Sequence, residues 1–258
     1  MKEVKPPKNN VIAIAINKGG VAKTTSTAAI GSVLASKGFK VLFIDLDGQG
    51  NLSNTFLESV SKNTVADLLN DGIISIVHTK EGLDIIPCDM SIMKVDDAMT
   101  EPGDRLILKQ RIASLREQYD FILMDCPPAY NHITINALSA ADYIFAPCDT
   151  SEDGKKGIML LADACLSAAP PKMIGGVFIT LYDARPRINR EIVQELRQKY
   201  GTLIFDTPIR YSCKVKEARK ENLDIVTYDP KSKPAEDYVA LVEEILERIK
   251  TGGNEAYW

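Results

Sequence analysis

The chain has one tryptophan, two histidines and five cysteines in 258 residues, and each scarcity removes a class of chemistry. Cys88, Cys126, Cys148, Cys165 and Cys213 are odd in number and include no C-x-x-C pair, which argues against a disulfide framework and against a zinc site. They read as small buried apolar residues of a reducing cytoplasm. His78 and His132 are too few and too far apart in sequence to suggest a metal site, and both read as structural. No apolar run approaches the roughly 20 residues of a membrane span. Residues 1–10, with Lys2, Lys5, Lys8 and the Pro6-Pro7 pair, read as a flexible lead-in rather than a secretory signal. No linker, repeat or low-complexity segment divides the rest of the chain, so residues 11–250 are expected to form one domain, with a tail over 251–258.

What is present is an ordinary globular composition, 45% hydrophobic and 26% charged, arranged with a clear rhythm. Short strand-like apolar runs recur at residues 11–16, 41–44, 83–87, 121–124, 143–146, 176–181 and 203–205. Helix-like stretches alternate with them at 24–36, 106–118, 133–140, 154–168, 187–200, 214–221 and 235–250. Strand then helix, repeated, implies βαβ units and an α/β fold with a mostly parallel twisted sheet flanked by helices. In such sheets, ligands sit at the carboxyl ends of the strands.

One segment has the chemistry for that edge. Lys18-Gly19-Gly20-Val21-Ala22-Lys23-Thr24-Thr25 lies between the first strand-like run and the first helix-like one. Gly19 and Gly20 carry no side chain to block close backbone approach, so successive N–H groups and a helix N-terminus can point at a polyphosphate. Lys23 supplies a point charge for the terminal phosphates, and Thr24 a hydroxyl for a magnesium ion. The strict pattern G-x-x-x-x-G-K-[ST] is not met, because Asn17 and Ala22 occupy its glycine positions. An alanine at 22 is harmless if its φ is negative and costly if the loop needs φ above zero.

Two carboxylate sites come directly after strand-like runs, at Asp45-Leu46-Asp47-Gly48-Gln49-Gly50-Asn51 and at Asp125-Cys126-Pro127-Pro128. An aspartate directly after a strand lies at the same sheet edge as the loop, where it can hold magnesium, usually through water. Asp45 and Asp47, with Gln49 nearby, are candidates for positioning an attacking water. Net charge is −4, yet residues 185–220 hold ten Lys and Arg against four Asp and Glu. That balance fits a footprint for nucleic-acid phosphates and equally the solvated face of ordinary helices.

On these motifs the chain resembles the ParA family of deviant P-loop ATPases, which segregate plasmids and chromosomes, near its small Soj-like members. The likeness continues through Thr134-Ile135-Asn136-Ala137-Leu138, Tyr182-Asp183-Ala184-Arg185 and the run from Tyr228 to Tyr238. The resemblance implies a single-domain P-loop NTPase binding ATP and Mg2+. Residues 18–25 would form the nucleotide loop, with Lys18 reaching the partner's nucleotide in an ATP-sandwich homodimer. It also implies phosphate binding by Lys23, magnesium binding by Thr24 with Asp125 as the carboxylate behind the ion's water, and a hydrolytic switch role for Asp47; Asp45, at the same sheet edge, is a further magnesium candidate by its position. The ATP-bound dimer would bind DNA without sequence preference through Arg185, Lys214, Lys216 and Arg219. A weak ATPase stimulated by DNA and a ParB-like partner is expected, in the cytoplasm and on the nucleoid, with no membrane role.

The chain departs from the family pattern at Ala22, at Gly48, which replaces a proline, and at Tyr211, which stands where many members carry arginine. Four other readings share parts of this chemistry. A MinD-like membrane switch should end in a basic amphipathic helix, whereas residues 243–250 are acidic on balance and are expected to pack on the domain; Trp258 is a candidate contact for a membrane or partner. An iron-sulfur carrier needs paired cysteines, and a small-molecule ligase a substrate pocket with no evident signature here. A non-hydrolysing ATP-sensing adaptor has its best support in Ala22.

Overall fold

Burial of alternate strand residues on two opposite faces organises the chain, seen here in a computed structural model that describes residues 9–59 and 63–252. The strands are β1 (Asn10–Ile14), β2 (Val41–Asp45), β3 (Val77–His78), β4 (Asp84–Ile86), β5 (Phe121–Asp125), β6 (Tyr143–Cys148) and β7 (Gly176–Ile179). They form one sheet in the order β3-β4-β2-β5-β1-β6-β7, parallel throughout except where β3 pairs with β4. The helices are α1 (Lys23–Ser36), α2 (Asn51–Phe56), α3 (Val65–Asp71), α4 (Ile92–Ala98), α5 (Ile107–Arg111), α6 (Ala113–Arg116) and α7 (His132–Ala140). Then come α8 (Glu152–Leu166), α9 (Arg187–Tyr200), α10 (Lys214–Lys220), α11 (Ile225–Tyr228) and α12 (Lys233–Lys250).

Side chains alternate across a strand, so each strand feeds two cores. Val11, Ala13, Leu42, Ile44, Ile122 and Met124 share one core with apolar residues of α3, α7, α8 and α9. Ile12, Ile14, Phe43, Leu123, Phe145 and Phe178 share the other with α1 and α12. Tyr238, Leu241, Val242, Ile245, Leu246 and Ile249 recur at helical spacing and are all buried, so α12 spends its apolar stripe on the domain. Burial of each such side chain contributes about 1.5–3 kcal/mol. The expectation that this acidic helix packs on the domain therefore holds. No helix among the described residues is long and apolar enough to cross a membrane. Trp258 and residues 1–8 lie outside the described residues.

The single-domain α/β fold with its mostly parallel sheet is as the sequence implies, with two local corrections. Residues 203–205 form no strand. Ile204 makes an isolated parallel bridge to Val177, but the Asp206 and Thr207 amides donate to Glu244, and Pro208 has no N–H to give. Residues 106–118 are not one helix. A 3₁₀ turn at Pro102–Leu106 precedes α5, and Ile112, at φ −91° and ψ 0°, separates α5 from α6. The short β3, α2, α3, α4 and α11 have no counterpart in the periodicity of the sequence.

Candidate functional site

Because β1, β2, β5, β6 and β7 run parallel, the segments that follow them meet at one sheet edge. The segment after β1 is the glycine loop. Gly20 and Ala22 both take left-handed backbone, at φ 76° and 66°. The conformation that alanine tolerates poorly is therefore the one adopted. Ala22 is also the N-cap of α1 and offers no side-chain cap, so the first-turn N–H groups are not capped from within the helix. Buried Val21 fixes the loop to the β7 edge, its carbonyl accepting from Thr180 Oγ1 at 3.0 Å. A Cβ on Gly19 or Gly20 would meet nothing within 4 Å, so the loop faces open space.

Lys23 is nearly buried, and its Nζ donates to Lys18 O at 2.7 Å. Burial lowers its pKa, opposed by the charge of Asp125. Thr24 Oγ1 donates to Asp125 Oδ2 at 2.7 Å, and Thr27 Oγ1 to Asp125 Oδ1 at 3.2 Å. Asp125 ends β5 beside Asp45 at the end of β2, and the two are register partners. Both are fully buried. Asp45 accepts from the Asp47 amide at 3.1 Å and from the Ser53 amide and hydroxyl at 2.9 and 2.7 Å. Burial pushes both carboxyls well above the ordinary carboxylate range; repulsion by Asp45 adds to the rise at Asp125, and repulsion by Asp47 to that at Asp45. Asp47 is half-buried and accepts from the Gln49 amide at 3.0 Å.

Gly19, Gly20, Ala22, Lys23, Thr24, Thr25 and Asp47 line a cavity of about 410 Å³, while Asp45 and Asp125 stay buried and do not line it. Its opposite wall comes from the segment after β7 and from α10, with Tyr211, Lys216 and Arg219 among the lining residues. Two of the four residues expected at DNA thus face the nucleotide loop, and Arg219 also donates to Asn51 Oδ1. Lys214 pairs with Asp229. Arg185 is 88% exposed and pairs with Asp183.

Lys18 donates within the chain to both carboxylate oxygens of Asp149 and to Ser151 Oγ. Tyr130 OH accepts from the Asn17 amide at 3.0 Å. Tyr130, Asp149 and Ser151 belong to none of the motifs legible in the sequence. Asp149 carries one usable signal, since it directly follows a strand as Asp45 and Asp125 end theirs.

Buried carboxyls held at raised pKa, a hydroxyl between loop and carboxylate, and an open loop of uncapped N–H groups suit a divalent cation beside an anionic polyphosphate. A family model described as an AAA domain matches residues 9–168. The chromosome-partitioning ATPase Soj of Treponema pallidum is 36% identical over 242 residues, covering 90% of this chain and 94% of that protein. The chromosome partitioning protein ParA of Caulobacter vibrioides is 32% identical over 251 residues, covering 92% and 94%. Among solved structures, cobyrinic acid a,c-diamide synthase of Mycobacterium smegmatis with bound ATP analog and magnesium superposes with a TM-score of 0.79. It is 27% identical, covering 94% of this chain and 96% of that one.

Proposed function

The chain belongs to the ParA/Soj family of deviant Walker A P-loop ATPases, and on that premise we propose that it is a partition ATPase whose ATP-bound homodimer binds DNA and is released by hydrolysis. It is an ATP-hydrolysing enzyme using ATP and Mg2+. The observation that carries the reading is the meeting, at one sheet edge, of the Lys18–Thr25 loop with the buried pair Asp45 and Asp125. Bound there, MgATP supplies the phosphoanhydride to be cleaved and the cation that draws charge from it. Lys23 holds the terminal phosphates, exchanging the carbonyl of Lys18 for them. Thr24 would hold the cation by its hydroxyl, and Asp45 and Asp125 would supply the negative charge that balances it. Asp47 orients the attacking water. Lys18 engages the partner's nucleotide, making the terminal phosphate a shared element of the dimer, so hydrolysis loosens it.

The dimer doubles whatever basic surface each protomer offers, giving a backbone-dominated, salt-sensitive affinity for DNA. Arg185 is 88% exposed and Lys214 50%. Lys216 and Arg219 lie beside the nucleotide cavity, so their contribution to DNA binding depends on nucleotide state. A ParB-like partner stimulates turnover. Titration of DNA binding against salt, with ATP and with ADP, tests this reading. ATP-dependent binding that weakens steeply with salt is expected, and Lys18→Ala and Lys23→Ala both abolish it. Binding indifferent to nucleotide, or absent at low salt, overturns it.

A further inference from the structure

Lys18 has its ammonium fully engaged inside its own protomer. It donates to Asp149 Oδ1 and Oδ2 at 2.8 and 2.7 Å and to Ser151 Oγ at 2.6 Å, which uses the three donors an ammonium has. Lys18 and Asp149 are only 21% and 23% exposed, so the pair is less screened than a surface ion pair. The cage is built by the fold. Ser151 caps α8 by accepting from the Gly154 amide at 3.1 Å and donates to Asp149 Oδ1 at 2.9 Å. A Cβ at Gly154 would fall 2.5 Å from Asp149 Oδ1 and 2.6 Å from Asp149 O, so only glycine there lets the carboxylate fold over the first turn of α8. That turn carries the positive end of a 15-residue helix. The backbone of Lys18 is fixed as well, by Lys23 on its carbonyl and by Tyr130 on the preceding amide.

We propose that Asp149, fixed by Ser151, is a positioning residue that withholds Lys18 from the partner protomer and thereby sets the protein concentration at which ATP assembles the dimer. The inference rests on the dimer reading of the function. An ammonium with all donors in the cage has none for a partner's phosphate, so association must exchange one set of bonds for the other. A polyphosphate with its terminal phosphate carries more charge than one carboxylate and drives the exchange. Each protomer opens one cage, so weakening the cage enters the dimer equilibrium twice.

Sedimentation velocity across protein concentration, with Mg2+ and a non-hydrolysable ATP analogue, tests the proposal on wild type, Asp149→Asn, Lys18→Ala and the double variant. Asp149→Asn is expected to lower the dimerisation midpoint by about tenfold or more with the ATP analogue and not with ADP. The double variant is expected to stay as monomeric as Lys18→Ala alone, because the effect of Asp149→Asn passes through Lys18, and a merely structural defect at Asp149 would not tighten the wild-type dimer. A midpoint equal to or above that of wild type, or a dimer formed by the double variant, overturns the withholding role alone. Wild type and Asp149→Asn both monomeric with the analogue bound overturn the dimer reading itself. Amine acetylation of nucleotide-free wild type, followed by mass spectrometry, needs no variant to fold. Lys18 is expected to react several-fold more slowly than the 74% exposed Lys156, and equal rates overturn the cage.

Discussion

At Ala22 the loop keeps a left-handed backbone, φ 66°, on a residue with a Cβ. That conformation costs an L-residue roughly 1–2 kcal/mol, and glycine avoids most of it while gaining freedom in the unfolded chain. Ala22→Gly is therefore expected to stabilise the protein by about 0.5–1 kcal/mol. A urea midpoint that rises at unchanged slope would show it; an unchanged or lower midpoint would mean that the loop relaxes around the alanine in solution. Ala22→Val should move the midpoint the other way, because a β-branched side chain tolerates this region less well.

Among the elements, α1 carries Lys23, Thr24 and Thr25 of the cavity and joins the glycine loop to the sheet. Its contact with β2 depends on Gly31, where a Cβ would lie 2.1 Å from Phe43 Cζ and 2.3 Å from Phe43 Cε1. The Phe43 ring also stacks on Phe56 of α2, centroids 5.1 Å apart, and has little room to yield. Gly31→Ala is expected to cost about 2 kcal/mol despite alanine's better helix propensity. Pairing it with Phe43→Leu should return most of that loss. Equal midpoints for the single and double variants would locate the strain elsewhere. On the far side of α1, Ser26 Oγ and Tyr238 OH lie 2.9 Å apart, tying α12 to the loop's helix.

For the molecule as a whole, the buried carboxyls couple stability to pH. Burial, with repulsion from Asp45 at Asp125 and from Asp47 at Asp45, raises the pKa of both carboxyls above the 3.8 of a free aspartate. The folded state then keeps protons that the unfolded chain has released, so their contribution to stability falls as pH rises from the ordinary carboxylate range through neutrality. Urea midpoints of the metal-free protein should decline between about pH 5 and 8, and Asp125→Asn should flatten that decline. MgATP should flatten it too, because a bound cation favours the charged carboxylates. A variant with the same pH slope as wild type would exclude Asp125 as its source.

Short continuous apolar runs in the strands and 3.6-residue spacing in α1, α8, α9 and α12 made the α/β class legible, since a strand covered on both faces needs apolar residues throughout and a helix only along one stripe. The strand-end aspartates and the glycine loop were legible too: the end of a strand is a local property, and parallel order carries all such ends to one edge. Tertiary structure alone decided the rest. Lys18 meets Asp149 across 131 positions and Asn17 meets Tyr130 across 113, distances closed by crossover helices that no local spacing encodes. The break at residues 206–208 depended on Glu244 drawing two amides away from the sheet. Lys216 and Arg219, basic residues by composition, became cavity wall because α10 packs across from the loop. The sign of φ at Ala22 came from closing that loop between a buried strand and a buried helix, a constraint the residue's own chemistry opposes.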